Sequence, residues 1–302
     1  MKTIINAQKI AALNTGISLA FNQGFSDTAV YWPLIAMEVR STTSAQIYPK
    51  LDGFKGIREW AGDRVLNRLT QSAFTLVNKK FENTLAVNRD DIEDDNLGLY
   101  STFAQQLGQD AANFPNQLMY ELFVKGDTEL CSDGQYFFDA DHPSFDLGGK
   151  EISASNIQTG TGPAWYLIDD SKVLKPMIYQ NRKPFQLTTI TAENDPNVFM
   201  RNEYIYGVDG RCNAGFGLWQ LAYMSKADLT ADSYAAARAA MGSLKNEKGK
   251  SLGIVPKKLL VPPSLEAKAR MIANSELVSD GTTTVSNPWK GTVEPIVVPY
   301  LS

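Results

Sequence analysis

A run of apolar residues at helical spacing, preceded by a strand-like polar stretch, constrains this chain more than any other feature. Leu97, Tyr100, Phe103/Ala104, Leu107, Ala111, Phe114, Leu118 and Leu122 recur at steps of three or four, so one stripe faces a core. Gln105, Gln106, Gln109, Asp110, Asn113 and Glu121 mostly face away from it. A helix of roughly 28 residues spans ~42 Å, the length of a spine. Pro115 removes one backbone donor and is expected to kink this helix or restart it with Asn113 near the cap. Just upstream, Asp90, Asp91, Glu93, Asp94 and Asp95 read as the helix N-terminus, where carboxylates complement the dipole. A calcium loop needs a glycine at its sixth position and a downstream bidentate Glu, and this stretch has neither. Salt bridging of these acids to Arg58, Arg64 or Lys79 of another subunit is a further use for them.

Before the acids, the alternation is strand-like. Phe74 and Leu76 share one face; beyond Asn78-Lys79, Phe81, Leu85 and Val87 share another. The pattern predicts a two-stranded ribbon between about Leu66 and Arg89 with Lys79 and Lys80 at its turn. An isolated hairpin is marginal in water, so such a ribbon draws its stability from what it docks on. Its lysines either stand as a solvated tip or meet acids on an adjacent subunit, and exposed charge discourages wrong pairing. A ribbon leading into a long helix suits a protein that reaches into neighbours better than one that closes around a substrate.

Composition removes several function classes. With 302 residues and 43% apolar content, the chain can bury one large core or two moderate ones. A net charge of −4 offers no general nucleic-acid-binding surface. Two cysteines, Cys131 and Cys212, rule out a disulfide framework and make a reduced compartment the default. No run approaches the ~18 apolar residues of a membrane span. The N-terminus is broken by Asn6, Gln8, Lys9, Asn14 and Thr15, unlike a signal peptide. Ile5, Ile10, Leu13 and Ile17 instead predict an N-terminal arm with a short amphipathic helix.

Beyond Gly126 the sequence predicts a long irregular loop, a polar connector over 151–162 and a β-rich stretch over 163–217. In that stretch Trp165–Ile168 and Met177–Gln180 are short apolar runs. Val198, Met200, Tyr204, Tyr206 and Val208 alternate, with Asn202 the exception. Thr230 is placed to cap a helix whose stripe is Tyr234, Ala237, Met241 and Leu244. Lys257–Val261 reads as a strand, Pro262-Pro263-Ser264 opens a helix to about Asn274, and Val293–Val298 is a last strand. The sum is α+β without a regular βαβ repeat.

Chemistry has few footholds. The lone histidine, His142, follows Asp139 and Asp141, a spacing that serves a metal-dependent hydrolase or, more simply, a loop whose side chains bond backbone ahead of Pro143. No second histidine or cysteine pair lies nearby, and no Gly-x-Ser-x-Gly elbow presents a serine to His142. Gly249-Lys250-Ser251 ends like a phosphate loop, but the position that requires glycine is Leu244 and the segment follows a helix, so it reads as a surface turn. No catalytic residue, cofactor or metal is expected.

Seven blocks carry a resemblance: IREWAGDR (57–64), NKKFENTLAVNRDDIEDDNLGLY (78–100), DGQYFFDADHP (133–143), GPAWYLID (162–169), LKPMIYQ (174–180), EYIYGVDGRCNAGFGLWQLAY (203–223) and LLVPPSLEAKAR (259–270). In order over nearly the whole chain, they resemble the Mu-like phage major head subunit family. The resemblance implies an α+β, HK97-like phage capsid fold: an N-terminal arm (1–40), an extended loop (41–89), a peripheral domain (90–217) and an axial domain (218–302). The peripheral domain holds the spine helix at about 94–125 and long strands over 163–217. It implies a structural subunit, not an enzyme, that self-assembles into hexamers and pentamers of an icosahedral head in the virion, after assembly in the host cytoplasm. Such a head encloses double-stranded DNA without sequence-specific binding, and its implied partners are portal, scaffold and decoration proteins, with no membrane. Alternatives from the residues are the hydrolase above and a tail-tube or decoration subunit. The residues in or beside the ribbon expected to make assembly contacts are Arg58, Glu59, Trp60, Asp63, Arg64, Lys79, Lys80 and Glu82.

Overall fold

The computed structural model describes residues 7–49, 73–93, 98–279 and 283–301. The order begins α1 (Ala7–Asp27), β1 (Ala36–Arg40), β2 (Ala45–Pro49), β3 (Ala73–Val77), β4 (Lys79–Asn88), α2 (Arg89–Glu93) and α3 (Leu99–Phe123). It continues with β5 (His142–Phe145), β6 (Glu151–Ala154), β7 (Ile157–Gln158), β8 (Trp165–Ile168), β9 (Met177–Ile190), α4 (Pro196–Arg201) and β10 (Glu203–Phe216). It ends with β11 (Ala222–Ser225), α5 (Ala231–Ser243), β12 (Lys258–Val261), α6 (Glu266–Asn274), β13 (Leu277–Ser279), β14 (Thr284–Ser286) and β15 (Glu294–Val297).

The spine helix is α3, 25 residues and about 37 Å long. It passes through Pro115 and does not restart at Asn113. Its start differs from the sequence expectation. Gly98, at φ 68°, breaks the helical path before Leu99, and no side chain caps α3. Asp90 and Asp91 instead occupy the first turn of the separate α2, where Asn88 Oδ1 accepts the Asp90 N–H at 2.8 Å. Asp94 and Asp95 lie outside the described residues.

Two sheets flank the spine. One has the order β1-β9-β10-β4, with β1 parallel to β9 and the other pairs antiparallel. In β10, Tyr204, Tyr206, Val208 and Cys212 are buried, as period-two alternation requires of a half-buried strand. Val87, Ala104, Tyr204 and Tyr206 join Ile17 of α1 in one small core; Phe21, Ala111 and Val208 form the next. The second sheet has the order β15-β12-β8-β11-β7 and carries the main core. All four residues of β8 are buried, which explains their unbroken apolar run. β8 therefore pairs with C-terminal strands, not with β9 and β10.

Helices α1 and α3 approach closely because both carry glycine at the crossing. A Cβ on Gly24 would stand 2.0 Å from Gln105 O, and one on Gly108 would stand 2.1 Å from Phe21 O. α1 is longer than the short arm helix expected from its pattern, at 21 residues. After α1, Asn116 of α3 pins the chain: its Oδ1 accepts the N–H groups of Tyr31 (2.8 Å) and Trp32 (2.9 Å) while fully buried.

The ribbon expected over Leu66–Arg89 is not a hairpin of β3 with β4. β3 pairs with β2, and β4 pairs with β10 over the register Glu203↔Asn88 to Cys212↔Lys79. Long β10 offers a ten-residue partner to β4, and Asn78 between β3 and β4 is held by residues 41–44, so the chain does not fold back there. The connection from β2 to β3, and with it Arg58, Glu59, Trp60, Asp63 and Arg64, lies outside the described residues.

The alternation through Val198 and Met200 also ends differently. Both belong to α4, which Asp195 caps through Asn197 N–H. Asn202, the interruption in the pattern, sits at φ 52° and closes that helix before β10 starts. The connector over 151–162 contains β6 and β7. The C-terminal elements follow the sequence reading: Thr230 and Ser233 form a capping box on α5, and Tyr234, Ala237 and Met241 are its buried stripe. Gly249, at φ 68°, makes the tight turn between the bridged residues Lys245 and Ser251.

Candidate functional site

The candidate contact surface of this fold is the β2–β3 ribbon, where the sequence places its assembly residues. Its base holds a buried polar knot. Gln180 of β9 is fully buried; its Nε2 donates to Leu76 O (3.0 Å) and Asn78 Oδ1 (2.8 Å), and its Oε1 accepts the Tyr48 hydroxyl (2.8 Å). Asn78 Nδ2 donates to Thr43 O (2.9 Å) and Ser41 Oγ (3.1 Å). Tyr48 stacks on Phe74 at 5.1 Å, and Tyr48, Leu76 and Ile178 make a small core beneath. A buried network with its groups satisfied fixes one geometry, because any other leaves polar atoms unpaired. The ribbon is thereby tied to β9 at its base.

Two measurements check this tie. Gln180→Leu removes partners from Tyr48, Leu76 and Asn78, and is expected to cost about 1–3 kcal/mol and to speed hydrogen exchange over 45–49 and 73–77. Burial pushes the Tyr48 phenol up to about 12, above the ~10 of an unfolded tyrosine. A phenol held neutral by folding contributes stability that is intact below about pH 10 and fades as the pH climbs toward 12. The stability difference between the native chain and Tyr48→Phe is expected to narrow across that window.

Lys79, Lys80 and Glu82 are all exposed, but at the start of β4 and not on a turn. In register, Lys80 stands opposite Arg211, which in turn stands opposite Lys183 of β9. One cationic rung thus crosses three strands, with Glu82 opposite Asp209 beside it. Like charges directly opposite in a sheet are unfavourable. Asp209 pairs with Lys183 across β10 and β9; among the described residues no carboxylate lies within ion-pair distance of Lys79 or Lys80.

His142 does not gather Asp139 and Asp141. Asp139 closes its own turn, accepting from Tyr136 N (3.2 Å) and Ala140 N (2.6 Å). His142, fully buried at the start of β5, meets Asp133 Oδ2 through Nδ1 (2.9 Å) and Phe137 O through Nε2 (3.2 Å), and stacks on Trp219 at 4.0 Å. Cys131 Sγ reaches Asp133 Oδ1 at 2.9 Å. Burial raises the Asp133 carboxyl, yet hydrogen bonds from His142, Cys131 and the Gln135 N–H outweigh it and hold the group at about 2. Burial pushes the Cys131 thiol up to about 12. The hydrolase constellation is therefore not assembled, since His142 pairs with Asp133 and Asp139 turns to local backbone.

Sequence reasoning passed over Gln180, Asn78 and Asn116, which hold the ribbon and the arm. A polar residue closing the apolar run Met177–Gln180 was the available signal. So was Gly108 within a helical stripe, since such a glycine usually has a packing reason.

Residues 10–301 match the family model described as Mu-like prophage major head subunit gpT. The major capsid protein of Escherichia phage Mu is 38% identical over 304 residues, covering 99% of this chain and all of that protein. The fold superposes on a subunit of the procapsid of bacteriophage JBD30 with a TM-score of 0.85 at 37% identity, covering 98% of this chain and 100% of the other. The JBD30 capsid decorated with minor capsid protein trimers gives a TM-score of 0.74 at 27% identity over 99% and 100% of the two chains. An arm helix crossed on a long spine, a ribbon rooted beside it and a sequence match running end to end lead to one statement: the chain belongs to the Mu-like phage major head subunit family, with the HK97-like capsid fold.

Proposed function

We propose that copies of this chain tile the head of a tailed phage as rings of six and five, enclosing double-stranded DNA. The role of major capsid protein is that of the family; the ring sizes and contacts are our reading. The observation that carries it is the full-length likeness to a procapsid subunit at a TM-score of 0.85. Shell building needs many modest contacts acting jointly, and ring closure needs contacts between unlike faces. A ribbon tied to β9 through Gln180 is suited to supply one such face. The spine α3 with the β1-β9-β10-β4 sheet makes the peripheral part, and the β15-β12-β8-β11-β7 sheet the axial part. We assign Arg58, Glu59, Trp60, Asp63, Arg64, Lys79, Lys80 and Glu82 to contacts between subunits. The rung Lys80–Arg211–Lys183 supports an acidic counterpart on the neighbour. Portal, scaffold and decoration proteins are the expected partners, with assembly in the host cytoplasm. The decoration of the JBD30 capsid by minor capsid protein trimers supports the last of these partners.

Electron microscopy of the purified chain, with and without its neighbouring gene products, tests this directly. Closed shells are expected; tubes or dispersed monomers under every condition would defeat the reading. Lys80→Glu is expected to cut shell yield several-fold while leaving the monomer folded, and unaltered yield would remove Lys80 from the contact set.

A further inference from the structure

We propose that Cys131, Asp133 and His142 hold one divalent transition-metal ion of the zinc class, tying the loop after the spine helix to strand β5. Their donor atoms, one sulfur, one carboxylate oxygen and one imidazole nitrogen, all lie within 4.8 Å of one another. That is a donor set zinc accepts.

The orientation of the His142 ring is the second observation. Its Nε2 faces the Phe137 carbonyl, which has only lone pairs to offer, so Nε2 carries a hydrogen. Nδ1 is thereby the ring atom turned toward Asp133 Oδ2, at 2.9 Å, where it donates a hydrogen bond when it carries a proton and offers a lone pair to an ion when it does not. A metal ion takes Nδ1 and Oδ2 at once and the Cys131 sulfur as a third ligand. The Nε2–H to backbone carbonyl bond is also the outer contact that metal-bound histidines ordinarily make, because it sets the tautomer and the ring plane.

The geometry is nearly prepared. Ligands about 2.0–2.3 Å from a tetrahedral ion stand roughly 3.3–3.7 Å apart. Asp133 Oδ1 sits 2.9 Å from Sγ and Oδ2 sits 2.9 Å from Nδ1, so each of these contacts needs to change by less than about 1 Å, with all three donors already within 4.8 Å. His142 cannot swing away, being fully buried and stacked on Trp219 with the planes 6° apart. Cys131 is half-buried, and it gives the ion its way in and water its place as fourth ligand. The tie has a purpose: between Val124 and β5 the backbone makes turns and the single bridge Leu130↔Tyr136, and no longer element braces it.

The rival occupant is a proton on Nδ1, and cobalt separates the two. The purified full-length chain is stripped with a chelator, then titrated with Co²⁺. One Co²⁺ per chain is expected, with a near-ultraviolet thiolate-to-cobalt band and strong visible bands of a four-coordinate site, both lost on adding Zn²⁺. Cys131→Ser is expected to abolish the near-ultraviolet band, and Asp133→Asn to lower the stoichiometry toward zero. Cys212→Ser, at the cysteine buried beside Tyr179, is expected to keep the band. Near-ultraviolet circular dichroism of Cys131→Ser is expected to match that of the unsubstituted chain, showing an intact fold. Failure to bind one Co²⁺ per chain, or a thiolate band surviving in Cys131→Ser, overturns the proposal and leaves the proton as occupant.

Discussion

Gly108→Ala is expected to destabilise the chain although it installs a better helix former. In an exposed helix interior, alanine is favoured over glycine by about 1 kcal/mol. Here the new methyl would stand 2.1 Å from Phe21 O, a backbone atom of α1 that moves only if the helix moves. Forcing a packed interface apart costs about 1–3 kcal/mol, sometimes more, so the clash outweighs the propensity gain. Lifting α1 also uncovers Ile17 and Phe21, which are buried against β4, β10 and α3. Gly24→Ala is expected to act alike, since its methyl would meet Gln105 O from the other side at 2.0 Å. Gly16→Ala supplies the contrast: nothing lies within 4 Å of that Cβ, and a gain of about 1 kcal/mol is expected. Denaturation midpoints of the three variants, with hydrogen exchange over α1, check the prediction. A stabilised Gly108→Ala would mean that the two helices do not cross at these glycines.

Asn116→Leu is expected to be comparably severe for a different reason. The leucine fits the space but accepts no hydrogen bond, so the Tyr31 and Trp32 N–H groups lose their partner in a half-buried place. Each orphaned donor costs about 1–3 kcal/mol, and there are two. Tyr120, whose hydroxyl donates to Tyr31 O at 3.1 Å, cannot compensate for lost acceptors. The damage falls on the strap between α1 and β1, so amide exchange at residues 31 and 32 is expected to rise well before global unfolding. An unchanged denaturation midpoint would show that this strap takes its shape from packing alone.

These two sites show where reading a sequence stops. The helical stripe of α3 is a local property, visible in one window because side chains three and four apart must share a face. Trp165–Ile168, the α5 stripe and its Thr230 cap are visible for the same reason, as are the last strand and the turn at Gly249. The partner of β4 is not local. Its alternation says that one face is buried, but says nothing about whether β3 or β10 lies beside it. Asn78 settles that through bonds to residues 35 to 37 positions earlier. The acids before α3 misled for a related reason: a carboxylate cluster marks a helix start nearby, and here that start belongs to α2, while α3 begins after Gly98 in the left-handed region.

By itself, then, the sequence determined that this chain is α+β, that a long amphipathic spine runs through its middle, and that seven ordered blocks resemble the head-subunit family. Periodicity and block order survive in one dimension. Only the tertiary structure decided that the ribbon is β2 with β3, that Gln180 and Asn78 knot its base, that Gly24 and Gly108 let two helices touch, and that Asp133 joins His142 to Cys131 in place of Asp139 and Asp141. Each of these is a meeting of residues distant in sequence or turned by a local φ. Such meetings are set by which buried polar groups find partners and which backbones can approach, quantities that exist only once the chain has folded.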